Sequence, residues 1–452
     1  MSYSTPVDYT AVYPTMGLPA ELTGAELKAF HGSRANIRYI PSTSGSAVGP
    51  SSSILFSIPN DSNSFLKPST LMLRLKCTVT TAADVVANGC YAFAGQNTAT
   101  AQTNATINTG VGGGSSLINR VTVTLPGGTA VSYNQWSHMQ NAVVKNHCLS
   151  NDYVNNDLRE LESATVMRIA AAAGVPSRTT WLTIPLNIPI FQSSCAYPLC
   201  LVAAPTGIEI TTNTLNDAFY SVATTVNGFS LDNCALIYET ISCSSEFVAA
   251  LRQAKASVPY TIAVNDWAGM SSGVSGAGTS RLQFALAYSS YKGVCFTFQA
   301  AATAVLAAPK FYSTNGMTSW VCYLDGVQVS PSNLNSSDFV YSEMSRCLGR
   351  ILDSNLTSCL TQVTSVEAFS KRNNYDDAAW LSGCSSMTLD DSTLSHTGVS
   401  ASNLVLEINL AATQDAGQWQ QTIAAAAQNC YVFIFYDSVI QVLADGSCIM
   451  KR

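Results

Sequence analysis

Apolar and polar positions alternate with period two in many short segments of the chain, and two sets of those segments recur at a nearly constant offset. In residues 116–136, Val121, Val123 and Leu125 fall on one side and Thr122 and Thr124 on the other, as a half-buried strand requires. Pro126-Gly127-Gly128 follows. Proline presets φ and the glycines tolerate positive φ, which predicts a tight reversal into a second strand over 130–133. The period then lengthens, with Trp136, Met139 and Val143 about one helical turn apart. Roughly two hundred positions later the order returns: a strand from Ser319, a Leu324-Asp325-Gly326 turn, a second strand to Val329, then a helical run over 338–351. A second pair keeps a similar offset, with Ile208 and Ile210 alternating in 206–217 and Leu404, Leu406 and Ile408 in 403–411. The doubling predicts two copies of one fold.

The other segments fill in the pattern. Residues 53–59 and 70–81 read as the first strands; in the second, Leu71, Leu73, Leu75, Cys77 and Val79 share a face opposite Arg74 and Lys76. Residues 82–114 are small, polar and glycine-rich, a long surface insertion between strands. A helix is expected over 158–173, ending at Gly174-Val175-Pro176, and a strand over 181–190, which Pro185 and Pro189 either confine to an edge or split. The second half is expected to open with a strand over 234–243, after which Ser244 caps a helix over 245–256. Strands at 281–288, 294–298 and 363–369 and a polar loop at 371–401 come next. Residues 430–443 are nearly all β-branched or aromatic, with Asp437-Ser438 the sole turn signal. Such a stretch would aggregate if exposed, so it is predicted to lie buried in a sheet. Residues 1–48, with Pro6, Pro14, Pro19 and Pro41, read as an extended arm carrying one short helix from Thr23 to Phe30. The whole reads as all-β: two β-sandwiches in tandem with a few short helices.

Composition changes the picture in one respect. At 452 residues two domains are expected, and 47% apolar content is ordinary. Charged residues make up 11%, against a usual fraction of about 25%. So little charge suits a surface held largely against other subunits, or a secreted threonine-rich β protein. A net charge of −6 with no run of Lys and Arg argues against nucleic-acid binding. The opening MSYSTPVDYT has neither the basic nor the apolar region of a signal peptide, and no apolar window is long enough to span a membrane. The chain is therefore expected to be made in the cytosol and to stay soluble. The 14 cysteines are scattered singly without a CxxC, and read as reduced, small, buried hydrophobes rather than a disulfide framework or a zinc site.

Candidate chemistry is sparse. His31, His138, His147 and His396 have no carboxylate or cysteine at ligand spacing, and no HExxH, GxSxG or Walker loop is present. Asp376-Asp377 and Asp390-Asp391 read as solvated loop acids, and the glycine run at 110–114 lacks the lysine of a phosphate cradle. No catalytic, cofactor-binding or metal-ligating residue is assigned, and no enzyme is expected.

The order of features resembles a known family. Ser53-Ile-Leu-Phe-Ser-Ile-Pro59 with residues 65–76 is similar to the first strand pair of the double jelly-roll major capsid proteins of the tectivirus–adenovirus lineage. In style the chain is nearest the hexon-like proteins of virophages, polinton-like viruses and adintoviruses. Residues 116–125 resemble that family's strand before a glycine turn, Leu324-Asp-Gly-Val-Gln328 its counterpart in the second roll, and residues 403–410 and 431–443 its last strands. The resemblance implies an arm at 1–48 and jelly rolls at 49–228 and 229–452. It further implies a homotrimeric, pseudo-hexagonal capsomer tiling an icosahedral double-stranded DNA virus shell, with 82–114 and 371–401 as outer towers. Implied partners are copies of the chain, penton and minor or cement proteins, and an internal membrane as a candidate contact of the arm; no specific nucleic-acid binding is implied. The virion is the implied location, with synthesis in host cytoplasm and assembly there or in the nucleus. The alternatives are a single-jelly-roll or minor vertex capsid protein and a β-rich adhesin or carbohydrate-binding protein.

Overall fold

Alternation of this kind has to close into sheets, and among the described residues of the computed structural model it does so as twenty strands. The described residues are 34–45, 47–81, 90–93, 113–149, 157, 159–162, 167–168, 177–193, 195–222, 226–300, 312–331, 334–351, 380–385, 398–415, 419 and 424–452. The first twelve strands are β1 (Arg34–Pro41), β2 (Ser53–Ile58), β3 (Ser64–Leu66), β4 (Met72–Thr81), β5 (Cys90–Phe93), β6 (Ile118–Thr124), β7 (Ala130–Tyr133), β8 (Met167–Arg168), β9 (Ser177–Pro185), β10 (Thr206–Thr212), β11 (Phe219–Val222) and β12 (Val226–Ser242). After the helix Ser245–Lys255 come β13 (Tyr260–Val274), β14 (Gly278–Gln299), β15 (Met317–Leu324), β16 (Val327–Gln328), β17 (Ser382–Ser385), β18 (Val399–Leu410), β19 (Gln428–Val442) and β20 (Cys448–Lys451).

The two halves share one plan. The main sheets of the first half run β1-β12-β4-β9 and β2-β10-β6-β7. Both orders recur in the eight-stranded sheet of the second half, as β13-β19-β14-β17 and β14-β18-β15-β16. Strand β14 serves both faces of its sandwich. Its first part pairs with β18 and its last part with β19 and β17, and register shifts between Ala285 and Gly293 separate the two. Bulges of this kind bend a strand, and here they carry it from one face to the other.

Side chains from the facing sheets fill each sandwich. In β4, Leu73, Leu75, Cys77 and Val79 are buried; Arg74 is exposed, its guanidinium 4.7 Å from the centre of the Trp181 ring. They meet Ile54, Phe56, Val121, Val123, Ile208 and Ile210 of the other sheet. In the second half, Phe296 of β14 meets Trp320 of β15 edge-on at 4.9 Å, and Phe298 stacks on Trp380 at 5.5 Å. Each sandwich thus has a large aromatic or aliphatic filling, which is what holds two twisted sheets face to face.

The predicted hairpins form. Gly127 and Gly128 take φ of 102° and 89°, and the second hairpin turns through Asp325 at 49° and Gly326 at 83°. Trp136, Met139 and Val143 are buried on one helical segment, which is π-wound from Met139 to Cys148. The Ser244 hydroxyl accepts from Phe247 N–H at 3.3 Å and caps Ser245–Lys255; the later helix spans Ser337–Ile351. Strand β9 pairs with β4 alone, and Pro185 ends it. All but the last residue of the 430–443 stretch lies inside β19, and it is buried almost throughout.

Several expectations need correction. The strand expected to open the second half belongs to β12, which pairs with β1, β3 and β4 of the first. Alternation marks a strand but not its neighbours. Within 158–173, Arg159–Leu161 makes a single helical turn while Met167–Arg168 pairs as a strand with Cys90–Tyr91. That pairing also interrupts the loop expected over 82–114, and Phe93 is buried against Phe219 at 5.1 Å. In the loop expected over 371–401, Trp380 and Leu381 are buried and Ser382–Ser385 joins β14. The two strands expected at 281–288 and 294–298 are one, and Asp437-Ser438 does not turn the chain. Residues 399–401 of the second loop already belong to β18, and 113–114 of the first precede β6. The expected helix at 23–30, the strand at 363–369, and residues 82–89, 94–112, 371–379 and 386–397 of the two loops lie outside the described residues. Strand β1 covers part of the stretch read as an arm and pairs along its whole length with β12.

Candidate functional site

The hairpin after β6 ends where the two sandwiches meet. Strand β7 brings Tyr133, and the helical segment after it brings Trp136, to Trp267 of β13; ring centres lie 5.3 and 6.0 Å from the Trp267 ring. Phe433 of β19 closes the group edge-on at 6.2 Å. Backbone approach is close here. A Cβ on Gly269 would lie 2.2 Å from the Asn134 carbonyl oxygen, so only glycine fits. Gln135, held at φ 58°, donates from Nε2 to the Ser271 hydroxyl at 3.2 Å.

Polar contacts extend the seam at both ends. The Gly127 turn packs against the loop before β20, where Cys448 N–H donates to the Pro126 carbonyl. Ala203 N–H donates to the Gly446 carbonyl at 3.0 Å. From the linking helix, Lys255 Nζ donates to Leu201 O at 2.9 Å and Arg252 to Cys200 O at 3.0 Å. Lys255 is buried, and desolvation pulls its pKa down. Two of these bonds join main chain to main chain, and two join side chains of the linking helix to main chain of the first half.

Asp266, beside the aromatic group, is 1% exposed. Its carboxylate accepts from Trp267 N–H at 2.9 Å and from the Ser438 hydroxyl at 3.3 Å. Desolvation dominates over those bonds and pushes its pKa from 3.8 up to about 6. Farther along β13, a polar hollow of about 300 Å³ opens at the seam, lined by Asn119, Gln135, Asn213, Asp217, Ser271 and Asn429 among others. His138 and Tyr431 stack at its floor, ring centres 3.7 Å apart, and His138 Nδ1 lies 3.2 Å from the Tyr312 hydroxyl.

Sequence reading singled out the histidines and acid pairs only to set them aside. His138 and His147 are buried; His31, His396 and both acid pairs lie outside the described residues. Among the described residues, no three His, Cys, Asp or Glu side chains are placed to hold a metal ion. Ten of the described cysteines are buried, and Cys148 and Cys243 are half-buried. Sequence reading missed the seam itself. Tyr133 reads as the end of the 130–133 strand and no strand is expected across Trp267, so nothing in the sequence pattern says that they face each other.

No protein-family model matches the chain, and no curated protein sequence matches it. Solved structures do. A chain of the PBCV-1 virus capsid superposes with a TM-score of 0.60 at 11% identity, over 93% of this chain and 98% of that one. A chain of the Sputnik virophage structure gives 0.57 at 11%, covering 92% and 88%, and the Faustovirus major capsid protein gives 0.57 at 10%, covering 92% of each. The fold is a double jelly roll. The match runs nearly end to end in both directions, so it takes in both jelly rolls and the seam between them.

Proposed function

We propose that this double jelly roll is the major capsid protein of an icosahedral virus, structural and not catalytic, three copies of which form a pseudo-hexagonal capsomer. The observation that carries the proposal is the near end-to-end likeness to capsid chains of PBCV-1, Sputnik and Faustovirus. Surface chemistry supports it. With 11% charged residues the chain has few groups whose desolvation would oppose subunit contact. Sheet β1-β12-β4-β9 has β1 and β9 as its edges, and these carry exposed Ile37, Tyr39 and Trp181. Open edges with large apolar side chains favour covering by a neighbour. A capsomer would bury on the order of 2,000–5,000 Å² between each pair of copies. We divide the rolls at the Ser245–Lys255 helix, because β12 is hydrogen-bonded into the first. Penton and minor capsid proteins would meet the capsomer in the virion, with the arm as the segment nearest an internal membrane.

Light scattering on the purified full chain tests the proposal. A mass of 3 × 47.9 kDa supports it, and a stable monomer at all concentrations contradicts it.

A further inference from the structure

A lysine, an asparagine and an aspartate meet on three adjacent strands of the second roll. Asn265 of β13 and Asp437 of β19 are direct partners in register. Lys292 of β14 sits in the bulge on the other side of β19, between the pairs Tyr291–Tyr436 and Gly293–Phe435. An extra residue in a strand re-aims its side chain. Here the Lys292 amine reaches over the central strand: Nζ donates to Asn265 Oδ1 at 2.9 Å and lies 3.3 Å from Asp437 Oδ1. The Ser290 hydroxyl donates to Asp437 Oδ2 at 2.8 Å, and Gly398 N–H donates to that hydroxyl at 3.0 Å. Lys292 and Asp437 are 6% and 5% exposed, while Asn265 lies at the exposed rim.

Stability gives a weak reason for this arrangement. A buried ion pair gains little over apolar side chains of the same size, and β19 is otherwise almost wholly apolar up to Asp437. The three groups are those that an amide exchange needs: an amine, a carboxamide and a carboxyl group touching the amine.

We propose that Lys292 and Asn265 join through an isopeptide bond, with Asp437 moving the protons. Within the buried ion pair, Lys292 Nζ passes a proton to the Asp437 carboxylate, leaving a neutral amine and a neutral acid. The Nζ lone pair attacks Asn265 Cγ, which is one bond beyond the oxygen that Nζ already contacts. The terminal torsion of asparagine is broad, so a turn of the carboxamide presents its face to the amine. The Nζ–Cγ bond forms, Asp437 gives its proton to Nδ2, and the Cγ–Nδ2 bond breaks to release ammonia. The Asp437 carboxylate then takes the second proton from Nζ, leaving a neutral amide, and passes it to the ammonia, which leaves as ammonium. One amide replaces another, so no oxidant or other reactant is needed. The product bridges β13 to β14 across β19, locking three strands of the sheet.

The test is mass spectrometry of the purified, folded full chain, intact and after proteolysis. The proposal predicts a chain lighter than its sequence by one ammonia, and a branched peptide joining residues 265 and 292. Lys292→Arg, Asn265→Ala and Asp437→Asn should each restore the full sequence mass at that site. A wild-type chain at full mass overturns the proposal whether or not the variants fold. So does loss of ammonia in Lys292→Arg, or loss traced to a cyclic imide or to another lysine. Neither outcome depends on whether the chain assembles, so this test and the light-scattering test fail independently.

Discussion

Replacing Asp266 with asparagine isolates what a buried carboxylate does to the seam between the jelly rolls. Asp266 is 1% exposed, and its pKa rises from 3.8 to about 6 in the folded chain. A raised pKa means that the fold prefers the neutral acid. Below pH 3.8 both folded and unfolded chains carry it protonated, and it brings no penalty. Between 3.8 and about 6 the unfolded chain ionises first, so stability falls as pH rises; above about 6 the full penalty applies. The gap of about 2 pH units corresponds to about 3 kcal/mol, an order-of-magnitude ceiling. Asparagine keeps an acceptor for Trp267 N–H and carries no charge. Asp266→Asn should therefore match the wild type near pH 4 and unfold at higher temperature near pH 7.5. Thermal unfolding of both proteins from pH 4 to 8 gives the difference curve, in which all other titrating groups cancel. A difference that stays flat across that range, or a variant less stable at pH 7.5, would refute the reasoning.

Three other outcomes follow from the packing. Gly269→Ala places a methyl 2.2 Å from the Asn134 carbonyl oxygen and should cost about 1–3 kcal/mol or more, whereas Gly273→Ala, with nothing within 4 Å, should be near neutral; paired melting curves decide. Trp320→Ala empties a fully buried site against Phe296 and should destabilise by about 3–5 kcal/mol in denaturant titration. In native alkylation at pH 8, half-buried Cys148 and Cys243 should react before the buried thiols; burial pushes Cys77 and Cys200 up to about 12, and early modification of either would contradict the packing.

Much of the fold was legible in the sequence because period-two alternation, glycine turns and caps are local signals. Val121 and Val123, Gly127 and Gly128, Asp325-Gly326 and Ser244 each act on their immediate neighbours, and each forms what its neighbours require. Pairing is not local. Nothing in 226–242 says that it lies between β1 and β4; Cys90–Phe93 is too short, and Ser382–Ser385 both too short and too polar, to announce a strand without its partner. The site was less legible for the same reason. Tyr133 and Trp267 lie more than a hundred residues apart, and only the doubled topology sets one sandwich against the other. Lys292 falls between two expected strands, Asn265 in none and Asp437 at a turn signal, so the three look unrelated until β19 stands between β13 and β14.

The most direct test of the account is electron cryo-microscopy of the purified full chain and of any particles it forms. The account predicts a threefold assembly with a six-lobed outline, two lobes per chain, each lobe enclosing one roll and the Tyr133–Trp267 seam running between them. A reconstruction in which one chain's two rolls stand apart, or in which the chains do not gather around a threefold axis, would contradict it.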